Sequence, residues 1–223
     1  MAATGATTQR RDREQELVAA TRALFDRRGA QDAPVEEIAK LVGIPRGLIY
    51  RSFSSKEELY VLTVTDYLGE LAVELEQSVS GAGEAGERLE RCMEAYVNYC
   101  LRYPAFLDSS MALMQRPARD LHERVSESVW LRLGQGMARC LHVVAESLRA
   151  GIESGAFDVE DPDYMANVLW TQALGAMHLA RIRVGVRQVA PGVPGLFAVA
   201  PERIVRSCVA SAMATVGAAP RPT

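Results

Sequence analysis

The chain has 223 residues, of which 48% are hydrophobic and 24% are charged, and its formal net charge at pH 7 is -3. A hydrophobic fraction of this size excludes a disordered chain and indicates one or two globular domains. The low aromatic content of 6%, with abundant Ala, Leu, Glu and Arg, favours helices over strands. The slightly acidic balance excludes binding of polyanions through bulk charge, although a local basic surface is sufficient for nucleic acid.

Cysteine usage and hydropathy predict the compartment. No Cys-x-x-Cys pair occurs among Cys92, Cys100, Cys140 and Cys208. We interpret them as reduced, packed thiols, with a redox-sensing thiol as the alternative. The first residues lack the apolar core of a secretory signal, and no apolar run approaches the ~18 residues of a membrane-spanning helix. We therefore expect a cytoplasmic protein without a membrane partner.

The N-terminal segment is expected to begin with a flexible basic arm over residues 1–12, which contains Arg10 and Arg11. A first helix is predicted to follow and to stop at Gly29. Its apolar face has the spacing i, i+3, i+7 and i+8, formed by Leu17, Ala20, Leu24 and Phe25.

Three further helices are predicted in quick succession. The segment VEEIAKLV, residues 35–42, is a short amphipathic helix that ends at Gly43. Pro45 fits the first turn of the next helix, RGLIYRSF, because proline has no N–H to leave unpaired. Ser54 and Ser55 each precede a glutamate by three residues, so overlapping capping boxes start a helix that runs to about Val79. This succession matches a helix-turn-helix motif.

The rest of the chain is predicted to be helical. SGAGEAG, residues 80–86, contains a literal G-x-G-x-x-G, but no strand precedes it, so we interpret it as an interhelical loop. Residues 185–201 are predicted to be a Gly/Pro-rich loop. Helices are predicted for residues 89–102, 105–115, 118–154 with a break or bend, 162–184 and 202–216. The expected fold is all-α, with an N-terminal three-helix helix-turn-helix domain and a larger C-terminal helical domain.

The first quarter of the chain resembles the DNA-binding domain of the TetR family of bacterial transcriptional regulators. The resemblance implies a DNA-binding domain over residues 13–60 and an effector-binding and dimerisation domain over residues 61–223. It departs from residue types common in the family at Ala33-Pro34, Pro45, Leu48 and Ser52. The matching positions are Leu24, Phe25, Gly29, Val35, Ile38, Ala39, Gly43, Ile44, Gly47, Tyr50, Phe53, Lys56 and Leu59.

The third helix is the predicted DNA reader, because a helix in the major groove presents its N-terminal residues to base edges. Arg46 is suited to a bidentate bond with guanine O6 and N7. Leu48 offers apolar contact to a thymine methyl group, and Gly47 lets the backbone approach the duplex. Ile49 and Phe53 are interpreted as core residues that orient this helix.

Phosphate contacts are expected around the same helix. The resemblance implies them for Tyr50 and Lys56, although a core role for Tyr50 is the alternative. Arg51 lies on the same helix, with a surface ion pair to Glu57 or Glu58 as the alternative. Arg10 and Arg11 are expected to reach the minor groove or phosphates, unless they form only a solvated basic tail.

The resemblance implies a homodimer in which the last two long helices form a four-helix interface. Such dimers bind half-sites about 34–36 Å apart, so the expected partner is a palindromic double-stranded operator. An intramolecular core stripe is the alternative interpretation of these residues. The candidate interface residues are Ala173, Met177, Ala180, Val205, Val209, Ala212, Met213 and Val216.

Methionines and large aromatic residues of the C-terminal domain suit a cavity for an apolar effector, with an acyl or aromatic molecule as our hypothesis. Each of them also fits an ordinary core. The candidates are Met93, Tyr96, Phe106, Met111, Met114, Trp130, Met137, Trp170 and His178.

Catalytic chemistry is not expected. The chain contains no H-E-x-x-H, G-x-S-x-G or Walker motif, and its histidines, His122, His142 and His178, lack metal-ligand spacing, so neither a metal nor a cofactor is predicted. The resemblance implies a ligand-responsive transcriptional repressor that a small hydrophobic effector releases from its operator. A helical adaptor that has lost DNA binding is the alternative, and the presence of Arg46, Gly47, Tyr50 and Lys56 argues against it.

Overall fold

The computed structural model describes residues 2–28, 34–81 and 83–217. Gly29, predicted to end the first helix, and Ala33 lie outside these ranges. Within them the chain is predominantly helical, as predicted. The helices are α1 Ala2–Arg28, α2 Val35–Val42, α3 Arg46–Ser52, α4 Lys56–Val79, α5 Ala85–Arg102, α6 Pro104–Met114, α7 Ala118–His122, α8 Glu127–Glu153, α9 Pro162–Ile182 and α10 Pro201–Thr215.

The start of α1 corrects one expectation. Residues 2–12, expected to be a flexible arm, continue helix α1 without interruption from Ala2. No proline interrupts the chain between Ala2 and Leu17, and its Ala, Arg, Gln and Glu residues favour the helical backbone.

The segment between α9 and α10 corrects a second expectation. Instead of a loop, it forms an antiparallel hairpin of strands β1 Val184–Ala190 and β2 Val193–Ala198. Pro191 and Gly192 form the turn, and Gly192 has φ +76°, a left-handed conformation that favours glycine. The alternation expected of a strand is present only at Val184 and Val186, since Arg187 and Gln188 both precede Val189, and the register is irregular between Gln188 and Ala190.

The two faces of the hairpin differ. On one face the Phe197 ring lies against Gly185, where an added Cβ would be 2.3 Å from a ring carbon. On the other face Val186 and Leu196 are directly opposite each other, and they are 70% and 72% exposed. The second face is therefore an uncovered apolar surface within this chain.

The chain divides into two compact units. Their limits differ from the domain boundary that the sequence predicted at residue 60. The first unit comprises Met1–Glu70 and Pro104–Met137, and the second comprises Leu71–Tyr103 and Ala138–Thr223. Helices α4 and α8 each continue from one unit into the other. Each unit consists of two separate segments of the chain, because α6 and α7 pack with the N-terminal helices. The Tyr67 and Phe106 rings, for example, lie 5.8 Å apart.

In the first unit, a cluster of polar side chains links α1 to α4. Arg22 forms ion pairs with Asp66, at 2.7 Å, and with Glu70. Its guanidinium lies 4.1 Å from the centre of the Tyr67 ring, and the Tyr67 hydroxyl donates a 2.5 Å hydrogen bond to Asp26. Burial is the main reason that the pKa of Tyr67 is raised, so this hydroxyl stays protonated.

The second unit packs α5 against α9 and α10. Phe157, beyond the end of α8, lies on Gly151, where an added Cβ would be 1.9 Å from the ring, so only glycine fits at this position. No helix in residues 2–28, 34–81 and 83–217 combines the length and the hydropathy that crossing a bilayer requires.

Candidate functional site

The turn between α2 and α3 orients α3. Gly43 ends α2 with φ +71°, and its N–H points to the carbonyl oxygens of Ala39 and Lys40. Pro45 is the N-cap residue of α3 rather than a first-turn residue. Ile49 and Phe53 are buried, as predicted. Because these two side chains face inward, α3 has an outward face that contains the exposed residues Arg46, Gly47, Tyr50 and Arg51.

Arg46 lies at the start of this outward face and is exposed. Its Nη1 atom forms a 2.6 Å ion pair with Glu36 Oε1 of α2. Its Nη2 atom donates a 3.3 Å hydrogen bond to the Tyr50 hydroxyl, and the guanidinium lies 5.5 Å from the centre of the Tyr50 ring. The hydrogen bond with Tyr50 and the charge of Glu36 raise the pKa of Arg46, which remains a cation.

The neighbours of Arg46 are also accessible. Tyr50 is 47% exposed, so its alternative role as a core residue is wrong. An added Cβ at Gly47 would have no atom within 4 Å, so the backbone there is open to an approaching molecule. Leu48 is half-buried and Arg51 is exposed.

The alternative role of Arg51 is not found: among the described residues, no ion pair joins it to Glu57 or Glu58. Glu57 instead lies 3.7 Å from Arg124. The Glu58 carboxylate accepts hydrogen bonds from other groups. Arg51 therefore retains a charge that this local network does not use.

Lys56 is the exposed first residue of α4, where a capping network surrounds it. Ser55 Oγ accepts a 3.0 Å hydrogen bond from Glu58 N, which is half of a predicted capping box. The Glu58 carboxylate accepts from Ser54 N at 2.6 Å and from Ser54 Oγ at 2.8 Å. The other predicted box, Ser54 with Glu57, is absent from this network, since Ser54 bonds to Glu58.

Glu58 also holds the turn before α8. Its Oε1 atom accepts a 3.1 Å hydrogen bond from Ser126 N and another from Ser126 Oγ. Ser55 Oγ donates a 2.8 Å bond to the Arg124 carbonyl. Burial alone would raise the pKa of Glu58, but the bonds from Ser126 and Ser54 outweigh it and lower the pKa. Sequence reasoning missed this link because Glu58 and Ser126 are 68 positions apart.

Arg10 and Arg11, the expected arm residues, are exposed on α1. They therefore have the geometry of a helix surface rather than of a free arm. The described residues contain no cluster of His, Cys, Asp or Glu side chains suited to a metal ion.

A small cavity lies within the second unit. Of the candidate effector residues it contains Met93, Tyr96 and Trp170. Its free volume is about 20 Å³, which is room for one water molecule. The other lining residues are Leu71, Leu75, Cys92, Cys140, Leu141, Val144 and Leu169.

The other candidate effector residues are not part of this cavity. Phe106 is fully buried beside Tyr67, Met114 is 55% exposed, and His178 is exposed on α9. The prediction grouped them by residue type, whereas the packing of α6 and α8 assigns five of them to the first unit: Phe106, Met111, Met114, Trp130 and Met137.

The candidate dimer residues are largely internal. Five of them are buried inside the second unit, which agrees with the alternative interpretation as an intramolecular core stripe: Ala173, Met177, Ala180, Ala212 and Val216. Those that are half-buried on α10 are Val205, Val209 and Met213. An open groove runs between α9 and α10, and its lining includes Gln172, Ala176, Leu179, Ile204, Ser207 and Ser211.

All four cysteines are free and buried. Burial raises the pKa of Cys92, Cys100 and Cys140 to about 12, so these thiols are protonated at neutral pH. A protonated, buried thiol reacts poorly with oxidants, which argues against the alternative of a redox sensor.

Residues 17–62 match the sequence profile of the family described as bacterial regulatory proteins, tetR family. Two characterised relatives are similar over part of their length. The transcriptional activator FasR of Mycolicibacterium smegmatis is 29% identical over 40% of this chain and 41% of its own. The transcriptional regulator HbdR of Aromatoleum sp. is 26% identical over 65% of this chain and 59% of its own. The chain thus matches less than two thirds of either protein.

Solved structures share the fold over nearly the whole chain. RolR in complex with resorcinol has a TM-score of 0.69 at 18% identity, over 95% of this chain and 91% of its own. A tetR-family protein from Rhodococcus RHA1 has a TM-score of 0.66 at 17% identity, over 93% of this chain and 98% of its own. The names of FasR and HbdR describe transcriptional regulation rather than catalysis. Residues 17–62, which include α2 and α3, match the tetR-family profile, and nearly the whole chain has the fold of solved proteins of this kind. The chain is thus similar to TetR-family transcriptional regulators with a helix-turn-helix DNA-binding domain.

Proposed function

We propose that this regulator is a sequence-specific repressor that a small hydrophobic effector releases from a palindromic operator. The observation that carries the proposal is the outward face of α3. Buried Ile49 and Phe53 orient this helix, so that Arg46 and Tyr50 are exposed together on one face, next to the open backbone at Gly47.

Arg46 is the proposed base reader. It stands at the N-terminal end of α3, the end that a recognition helix presents to base edges, and its fork of donors matches guanine O6 and N7. Leu48 is half-buried in the free protein and offers an apolar surface to a thymine methyl group. Glu36 orients the Arg46 side chain across the turn before DNA binds.

The proposed phosphate contacts surround this reader. Tyr50 presents its hydroxyl beside Arg46, and Lys56 adds an exposed cation at the N-terminus of α4. Arg51 supplies a further exposed cation. Arg10 and Arg11 extend the basic surface along α1. Phosphate contacts of this kind set register and make binding salt-dependent.

The proposed dimer forms through the exposed surfaces of α9 and α10 rather than through their buried residues. Small residues such as Ala176, Ser207 and Ser211 line the groove between these helices and permit close approach of a partner helix. The hairpin connects the same two helices, and its uncovered face bears Val186 and Leu196. An isolated two-stranded hairpin is marginally stable in water, which favours its burial against the second copy.

The proposed effector site is the cavity of the second unit. Leu71 and Leu75 of α4 and Leu141 of α8 line it, and both helices continue into the first unit. A ligand that displaces these side chains acts directly on the helix that starts at Lys56. A ~100-fold preference of the ligand for the DNA-free state corresponds to roughly 2.7 kcal/mol of coupling. RolR, a structural neighbour, was solved with resorcinol bound, which supports a small-molecule ligand.

The first experiment is a fluorescence-anisotropy titration of the purified protein with the intergenic DNA beside its gene, at two salt concentrations. We expect tight, salt-sensitive binding that Tyr50→Ala and Lys56→Ala weaken. Arg119→Ala is the matched control, because it removes an exposed cation of α7 without changing α3 or α4.

Two other outcomes have definite meanings. Binding that Tyr50→Ala and Lys56→Ala leave unchanged would contradict the assigned DNA surface. Failure to bind either this DNA or a randomised duplex library, with and without candidate ligands, would contradict DNA reading and favour the helical adaptor.

A further inference from the structure

Two polar atoms in the apolar cavity are unusual. Tyr96 Oη and Trp170 Nε1 are both buried, and neither makes a hydrogen bond of normal geometry with the described residues. Trp170 Nε1 has no polar neighbour among them, whereas burial and the neighbouring Cys100 thiol, a weak hydrogen-bond acceptor, raise the pKa of Tyr96. Both side chains line the same cavity, and their ring centres are 6.2 Å apart at an interplanar angle of 59°. Tyr96 as a whole is only 7% exposed.

Leaving such atoms unpaired is unfavourable. A buried donor without a partner costs about 1–3 kcal/mol, and most buried polar groups in proteins are paired. An indole N–H donates and does not accept, so its missing partner must be an acceptor. A phenol hydroxyl both donates and accepts, so Tyr96 is compatible with the same kind of partner.

The remaining lining excludes charge from the ligand. Leu71, Leu75, Val144 and Leu169 are apolar, and none of the described Asp, Glu, Lys, Arg or His side chains lines the cavity. An ion in such a place would lose its hydration without gaining a counterion. The two lining thiols, Cys92 and Cys140, are protonated at neutral pH because burial raises their pKa to about 12. They are therefore neither anions nor ready nucleophiles for an electrophilic ligand.

The cavity has to enlarge to admit an organic molecule. Its free volume of about 20 Å³ holds one water. Met93 lines it, and methionine adapts to irregular shapes through three rotatable bonds. A compact ring that displaces Met93 and Leu141 is consistent with these neighbours.

We propose that the effector is an uncharged, mainly apolar molecule with an acceptor oxygen, such as a carbonyl, ether or phenol oxygen, that pairs with Trp170 Nε1 and Tyr96 Oη. This inference rests on the proposed function, which assigns an effector to the cavity. It adds the chemistry by which the cavity selects a ligand. The acceptor oxygen supplies the selectivity, and the apolar part of the molecule supplies most of the contact area.

The test compares three probes of similar shape by isothermal titration calorimetry with the full-length protein. Acetophenone carries a neutral acceptor, ethylbenzene lacks the oxygen, and benzoate carries a charge. We expect acetophenone to bind about tenfold more tightly than ethylbenzene, and benzoate not to bind.

Two conservative variants complete the design. Tyr96→Phe and Trp170→Phe keep an aromatic ring and remove the polar atom. Each is expected to weaken acetophenone binding about five- to tenfold and to leave ethylbenzene binding unchanged. Thermal unfolding confirms that both variants are folded. Trp130→Phe is the matched control, because Trp130 lies in the first unit beside His122.

The inference is overturned if ethylbenzene binds as tightly as acetophenone, if benzoate binds most tightly, if both phenylalanine variants behave as wild type, or if no probe binds up to its solubility limit. DNA release, measured in parallel, separates this result from the proposed function. Ethylbenzene that binds equally and releases DNA would contradict only the ligand chemistry. Acetophenone that binds as expected without releasing DNA would contradict only the effector role.

Discussion

Arg46 of α3 and Glu36 of α2 form a 2.6 Å ion pair across the helix-turn-helix turn. The side chain best placed to reach a base is thus held by an acidic partner in the DNA-free protein. The pair is exposed, so its contribution to stability is small and its effect belongs to binding.

Removing Arg46 should reduce base discrimination. We expect Arg46→Ala to weaken operator binding about tenfold or more and to affect a scrambled duplex less, because the lost contact is to base edges. Glu36→Gln should raise affinity for both duplexes, because a negative charge near the phosphates is removed. Anisotropy titrations of each variant with both duplexes measure the ratio of its affinity for the operator to its affinity for the scrambled duplex. Equal losses on both duplexes for Arg46→Ala would show that Arg46 contacts only phosphate.

Gly47→Ala should lower DNA affinity without lowering the stability of the fold. The new methyl group meets no protein atom within 4 Å. Alanine favours a helix over glycine by about 0.5–1 kcal/mol, so the free energy of unfolding should stay the same or rise. DNA affinity should fall, because the methyl group occupies the space that the duplex approaches.

Gly69→Ala is the matched control for this variant. Gly69 lies in α4, also with no atom within 4 Å of an added Cβ, and its substitution should leave DNA affinity unchanged. Urea unfolding and anisotropy on both variants provide the comparison. Wild-type affinity in Gly47→Ala would rule out close approach of DNA at this position.

Glu58→Gln should destabilise the protein in a pH-dependent way. The ionised carboxylate accepts hydrogen bonds from Ser54 and Ser126, and bonds to a charged group contribute about 1.5–3 kcal/mol. The folded protein has a Glu58 pKa below the ordinary value of 4.5. The stabilisation is therefore fully present above that value and is lost as pH falls through the lower folded pKa.

Urea unfolding of wild type and Glu58→Gln from neutral pH down to about pH 3 measures this effect. The difference in the free energy of unfolding should be constant at neutral pH and should shrink below 4.5. A difference that does not change with pH would mean that the Glu58 charge contributes nothing to these bonds.

Two sets of variants test separately the two parts of the proposed dimer surface, the α9–α10 groove and the hairpin. Ala176→Glu places a charge in the α9–α10 groove and should yield a monomer in sedimentation experiments. The double variant Val186→Ser/Leu196→Ser should raise the dimer dissociation constant about 100-fold, because two aliphatic side chains no longer bury apolar area. Arg187→Ser, whose side chain lies on the other hairpin face, is the control. A dimer that loses stability only with Ala176→Glu would restrict the interface to the helices.

Local sequence predicted the turns and caps of α2, α3 and α4 well. Gly43 ends α2, Pro45 starts α3 and Ser55 caps α4, and each of these signals acts within a few residues of the chain. The inward positions Ile49 and Phe53 follow from helical periodicity alone. The hairpin was missed because glycine and proline, which mark loops in general, here serve a turn and close side-chain packing.

The sequence by itself determined the predominantly helical character, the helix-turn-helix and the exposed residues of α3, because helix periodicity and caps are local. Tertiary structure alone decided which distant side chains meet. It linked Glu58 to Ser126, placed Met93, Tyr96 and Trp170 around one cavity, and buried Ala173 and Met177 inside the chain. Such contacts depend on how helices pack against one another, and residue type at a single position does not specify its neighbours across helices.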